Sequence, residues 1–196
     1  MRRWLEQEYP AIRQQARQVG AEIYWGDEAG VRSDCHAGTT WGGKGQTPVV
    51  RSTGQRSWVQ MIAAVSAGGA LRFMLSKGKV NGTVFVEFLK RLRHNAARPM
   101  FLILDGGSYH RSRPLKAYVA GLGGRWQLFF LPPYSPERNP DEQVWNYVQH
   151  HGVAKAALRS GKELKQFVMA RLRSLQKMPG TIRMFFLTPD TQYAAF

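Results

Sequence analysis

Apolar residues along the chain fall into short runs and helical stripes divided by Gly, Pro and polar clusters, and this grouping predicts the order of elements. Trp4, Leu5, Ile12, Ala16 and Val19 are helix-compatible positions within residues 1–19, with Pro10 interrupting and Gly20 closing the segment. The run EIYWGDEAG, residues 22–30, meets Asp27 and ends in a Gly-containing turn, which predicts a strand. Residues 36–57 are rich in Gly, Thr and Ser and fit a hairpin around Lys44 and Gly45. WVQMIAAVSA and ALRFMLSKG are separated by Gly68 and Gly69, the turn chemistry of an antiparallel pair. After Asn81, Val84, Phe85, Phe88, Leu89 and Leu92 recur at helical spacing, with Lys90, Arg91 and Arg93 on the other side. MFLILD, residues 100–105, is a continuous apolar run of the length of a buried central strand. A helix from about Arg113 to Leu122 and a buried strand in RWQLFFLPP follow. NPDEQVWNYVQHH opens a helix with Asn139 as N-cap and Pro140 at its first position. A final helix spans about residues 161–176. Three strands, then helix, strand, helix, strand and helix describe an α/β protein, a mixed sheet flanked by helices.

A chain of 196 residues suffices for one domain with a sizeable core and is short for two. The charge changes the picture more. Lys and Arg number 28 against 13 Asp and Glu, a net +15, and such an excess points to a polyanionic partner, with nucleic acid the leading reading. A membrane surface fits less well, because there is no apolar run of about 18 residues and no long basic amphipathic helix. The single cysteine, Cys35, excludes an internal disulfide framework and a cysteine-based zinc site. A reducing, cytoplasmic location is expected, and the N-terminus lacks the apolar segment of a secretory signal.

Six of the 13 acids, Asp27, Glu28, Asp105, Glu137, Asp141 and Glu142, fall at three places, each at a strand end or the start of the next helix. Strand ends in such sheets gather residues distant in sequence, and clustered acids repel unless a cation neutralises them. Oxygen donors without Cys point to a hard ion such as Mg or Mn. Taken singly, Asp27 fits a turn residue before Gly30 and Asp105 an Asx-type strand terminator. Glu142 also fits N3 of a capping box with Asn139. His110 reads as a surface or packing histidine. The glycines of GDEAG and DGGSYH do not match a dinucleotide fingerprint, and there is no P-loop.

The string LPPYSPERNPDEQVW, residues 131–145, resembles the motif of mariner-like insertion-sequence transposases, in which the catalytic glutamate follows an Asn-Pro pair. LDGGSYH (104–110) is similar to the block that carries that family's second aspartate, and WGDEAG (25–30) to the block that carries the first. TTWGGKGQTPVV (39–50) resembles a segment that follows the first block, and 36 residues separate Asp105 from Glu142, close to the family's spacing. Gly106 stands where the family commonly has Asn, and about 20 residues precede the first strand, leaving the family's N-terminal helix-turn-helix module without a counterpart.

The resemblance implies an RNase H-like fold. It divides the chain into an N-terminal helical lead-in (1–20), a DDE catalytic domain (21–178) and a C-terminal tail (179–196). It also implies Asp27, Asp105 and Glu142 as the catalytic, metal-holding set for two Mg or Mn ions. The activity implied is cleavage and transfer of double-stranded DNA by in-line phosphoryl transfer, by a homodimer on element ends and target. Lys44, Arg51, Arg56, Lys90, Arg91, Arg93, Lys155, Arg159, Lys162 and Lys165 are the candidate phosphate contacts. The alternatives are a resolvase or RNase H-type nuclease and a non-catalytic DNA-binding remnant of a transposase.

Overall fold

The computed structural model describes residues 1–33, 43–45, 57–76, 78–94, 96–107, 110, 112–150 and 160–195. After a wide π-type helical turn at Trp4–Glu8 come α1 (Tyr9–Val19), β1 (Glu22–Arg32), β2 (Trp58–Val65), β3 (Leu71–Ser76) and α2 (Gly82–His94). They are followed by β4 (Met100–Leu104), α3 (Arg113–Ala120), β5 (Trp126–Phe130), α4 (Glu142–His150), α5 (Gly161–Gln176) and α6 (Pro179–Met184). The five strands form one sheet in the order β3-β2-β1-β4-β5. β1 pairs antiparallel with β2 and β2 with β3, whereas β1–β4 and β4–β5 are parallel. This is the mixed sheet flanked by helices that the element order predicts.

Period-two alternation assigns the two faces. Trp25, Met61, Ala63, Phe101 and Ile103 point to one side, under α1, α4 and α5. Tyr24, Ile62, Ala64, Leu102 and Leu104 point to the other, under Phe85, Phe88, Leu89 and Leu92 of α2 and Leu115 of α3. All five residues of β4 are buried, as a continuous apolar run in a central parallel strand should be.

Several local expectations change. β1 runs on to Arg32 instead of turning at Gly30, because Gly30, Val31 and Arg32 continue the ladder against Gln60, Val59 and Trp58. Pro10 does not break the N-terminal helix. It occupies the first turn of α1, where a missing N–H matters least. The hairpin turn between β2 and β3 forms at Gly68 and Gly69. Gly69 has φ +92°, and a Cβ there would stand 2.7 Å from the Pro179 carbonyl oxygen. The hairpin expected over 36–57 lies outside the described residues, apart from 43–45.

Residues assigned to a lead-in and a tail enter the central core. Trp4 and Tyr9 pack on Trp25 with ring centroids 6.4 and 5.5 Å apart, and Tyr193 meets Trp25 edge-on at 5.6 Å. Ile182 and Phe186 are buried in the same cluster. One further helix, α6, follows the helix expected to be last, and the Arg183 Nε donates to the Gly68 carbonyl at 3.2 Å.

Candidate active site

Asp27 lies within β1, opposite Ala63 of β2, so it is a mid-ladder residue and not the turn residue its flanking glycines allow. Its side chain is almost fully buried on the Trp25 side of the sheet. Oδ1 accepts from the Glu28 amide at 2.7 Å and Oδ2 from the Trp145 indole Nε1 at 3.4 Å. Burial, and then the Glu142 carboxylate, push its pKa up to about 8, the Glu28 amide bond only partly opposing them.

Asp105 follows the last residue of β4, beside β1 in the parallel register that pairs Gly26 with Leu104. Its Oδ1 accepts from the Gly107 amide at 3.2 Å, the Asx-type geometry expected of a strand terminator. The same oxygen stands 2.7 Å from Nδ1 of His110. That hydrogen bond holds the Asp105 pKa below its ordinary value, against partial burial.

His110 is completely buried, and its Nε2 stands 3.4 Å from Oε2 of Glu28. Burial disfavours its charge, yet the bonds to Asp105 and Glu28 outweigh burial and raise its pKa to about 9. It is therefore buried as a packing histidine would be, edge-on to Phe85 at 4.8 Å, but it also bridges two acids. Its spacing five residues beyond Asp105 is the only trace of this in the sequence.

Glu142 is the first residue of α4. Asn139 has extended backbone angles and its Oδ1 accepts from the Asp141 amide at 3.1 Å, so it caps the turn that leads into α4, which starts at Glu142 and not at Pro140 as expected. The reciprocal half of the capping box is not made, because the Asn139 amide donates to the Pro136 carbonyl at 2.8 Å. The Glu142 side chain instead comes within hydrogen-bonding reach of Asp27, and burial raises its pKa, with Asp105 adding to the rise.

Beside it Asp141 is fully buried, and neither carboxylate oxygen finds a hydrogen-bond partner among the described residues. Burial first, then the charges of Asp27 and Glu142, raise its pKa well above the carboxylate range. The sequence contains no sign of this, since an acid in the first turn of a helix ordinarily faces solvent. Glu137, by contrast, is exposed.

Asp27, Glu28, Asp105 and Glu142 line one open cleft of about 610 Å³ with Gly106, Gly107 and the loop Leu131–Pro136. Tyr134 on that loop is fully exposed and holds φ 56°, an unusual conformation for a residue with a Cβ. Among the described residues Glu28, Asp105 and His110 bring possible ligand atoms within 4.8 Å of one another, and the Asp27 and Glu142 carboxylates line the same cleft, a mainly oxygen set that suits a hard divalent ion.

None of the described basic candidates lines this cleft. Lys44, Lys90, Arg91, Arg93 and Lys162 are exposed and Lys165 half-buried; Arg51, Arg56, Lys155 and Arg159 lie outside the described residues. Helices α2 and α5 pack on opposite faces of the sheet. Arg91 and Lys165 nevertheless meet at the outer edge of β3, where with Arg173 they line a groove over Phe73 and Leu75. Arg91 is already paired to Glu87 at 3.1 Å. Among the described residues no helix is long and apolar enough to cross a membrane.

Residues 22–165 match the family model described as DDE superfamily endonuclease. The chain belongs to that family. No curated protein sequence matches the chain. Solved structures of the Mos1 mariner transposase share its fold. A paired-end complex with Mg has a TM-score of 0.66 at 13% identity, covering 99% of this chain and 63% of that one. A paired-end complex with a left transposon end has a TM-score of 0.61 at 16% identity, covering 95% and 60%. The isolated Mos1 catalytic domain has a TM-score of 0.59 at 12% identity, covering 96% and 90%. The fold of this DDE family member is thus the RNase H-like fold of that catalytic domain. The chain spans 60% and 63% of the Mos1 chains in these two paired-end complexes.

Proposed function

We propose that this chain is the catalytic domain of a mariner-like transposase, which cuts double-stranded DNA at element ends and joins them to target DNA by in-line phosphoryl transfer. What supports this reading is the convergence of Asp27, Asp105 and Glu142, from a strand interior, a strand end and a helix start, on one open cleft. The three would hold Mg or Mn, two ions in our reading. These supply the Lewis acidity that polarises the attacking oxygen and neutralises the leaving one. The acids fit such an occupant, since burial first, and then the Glu142 charge, raise the Asp27 pKa, and a cation would relieve both by neutralising the buried carboxylate.

The rest of the work falls to the chain. Trp145 and the Glu28 amide orient the Asp27 carboxylate. Leu131 and the prolines at 132, 133 and 136 wall the cleft with apolar surface that displaces water from a bound strand. Tyr134 presents its ring at the rim, where a base or sugar can stack. The lysines and arginines named above neutralise phosphates beyond the cleft, on duplex held by a homodimer.

The test is incubation with supercoiled DNA and Mn. Nicked and joined products that disappear in Asp105→Asn are expected. Nicks without joining would favour a nuclease of the resolvase or RNase H type, and binding without cleavage a non-catalytic remnant.

A further inference from the structure

Nδ1 of His110 lies 2.7 Å from Oδ1 of Asp105 and 3.0 Å from the Asp105 carbonyl oxygen. Both neighbours accept hydrogen bonds only, so Nδ1 must be the protonated donor. The other ring nitrogen faces the Glu28 carboxylate at 3.4 Å, and the ring is locked edge-on against Phe85 of α2 at 4.8 Å. With the Gly107 amide also on Oδ1, both donors from described residues converge on one oxygen of Asp105. Asp105 itself lines the cleft.

We propose that His110 is a positioning residue: it fixes which carboxylate oxygen Asp105 offers to a divalent ion and holds Glu28 beside it. This rests on the metal reading above. His110 reaches the ion only through Asp105. A hydrogen-bonded partner behind a ligand restricts the ligand's rotation, and its removal typically weakens metal affinity by about 10–100-fold. Trp145 and Asn139 secure β1 from the α4 side of the sheet, and His110 secures Asp105 and Glu28 from the α2 side.

His110→Phe keeps the ring against Phe85 and removes the Nδ1 donor and the Nε2 contact with Glu28, whereas His110→Asn returns an amide N–H near the position of Nδ1. Mn binding to the protein without DNA, read by electron paramagnetic resonance, should weaken about 10–100-fold in the Phe variant. In the Asn variant it should recover to within a few-fold of wild type. DNA nicking at limiting Mn should follow the same order and recover in the Phe variant at high Mn.

Wild-type Mn affinity in His110→Phe, or equal impairment of the Phe and Asn variants, would overturn the proposal. If the Phe variant does not fold, His110→Gln, which reaches toward Glu28 instead, must bind Mn more weakly than His110→Asn; the reverse order sinks the idea. Asp105→Asn serves as the reference. Mn binding lost there but unchanged in His110→Phe rejects the His110 role alone, and a wild-type protein that binds no Mn rejects the metal reading as well.

Discussion

The side-chain amide of Asn139 donates to the carbonyl oxygen of Gly26 at 3.2 Å, across 113 positions of sequence, while its own oxygen caps the Asp141 amide. One buried residue thereby ties the start of α4 to the strand position just before Asp27. Asn139→Ala removes both bonds. It should cost about 2 kcal/mol in denaturant unfolding, the sum of a lost cap and a lost buried hydrogen bond. Cleavage should fall further than stability, because Glu142 and Asp27 lose their common anchor. A variant with wild-type stability would remove Asn139 from this role.

Glu142→Gln separates capping from metal binding. The reciprocal capping bond is absent, so Gln should change stability by well under about 1 kcal/mol. Metal-dependent cleavage should drop by orders of magnitude. Glu137→Gln, at an exposed position, should leave cleavage nearly intact. The opposite pattern would mean that the third ligand is misassigned.

Saturating Mg or Mn should stabilise the protein. At a concentration of about 100 Kd a ligand specific for the native state adds about 2.7 kcal/mol, worth roughly 5–10 °C for a domain of this size. Asp105→Asn should lose most of that rise in a thermal melt, and identical responses of variant and wild type would argue against the site.

Metal-free stability should fall as pH rises. Asp27 has its pKa raised from 3.8 to about 8 in the folded protein, so between about pH 4 and 8 the native state binds the extra proton. Its contribution is complete below pH 4 and lost through pH 8. His110, raised from 6.5 to about 9, adds a loss of the same sign between those values. Asp105, with its pKa lowered, acts oppositely and only near or below pH 4. Asp141 and Glu142, whose pKa values burial also raises, add losses of the same sign. Urea midpoints between pH 5 and 9 should show the decline, and Asp27→Asn should make it shallower. An unchanged slope in that variant would show that Asp27 is not the group responsible.

DNA binding should be largely independent of sequence and steeply dependent on salt. If six phosphates are neutralised, affinity should drop about a thousandfold between about 50 and 200 mM salt. Tyr134→Ala should weaken single-strand binding by about 1–3 kcal/mol without altering that slope. Tight, salt-insensitive binding to one sequence would contradict the electrostatic picture.

The sequence by itself determined the five described strands and most of the helices, because apolar periodicity reports which face of each element leaves water; α6 was not expected. The all-apolar MFLIL run, the Gly68-Gly69 turn and the stripe at Phe85, Phe88, Leu89 and Leu92 each become the element they predict. The motifs also led to Asp27, Asp105 and Glu142, which line one cleft, although Asp27 lies within β1 and not at its end.

Only the tertiary structure decided what surrounds them. A sequence does not state whether an acid four residues from another points to water or into the core, and here Asp141 is buried while Glu137 is exposed. Nor does it state that His110 faces two carboxylates, since that geometry follows from the parallel register of β1 and β4 and from the packing of α2 beneath. The lead-in and tail looked peripheral for the same reason. Trp4, Tyr9 and Tyr193 meet around Trp25 only once the chain has closed on itself, because hydrophobic burial is non-directional and sequence distance places no limit on its partners.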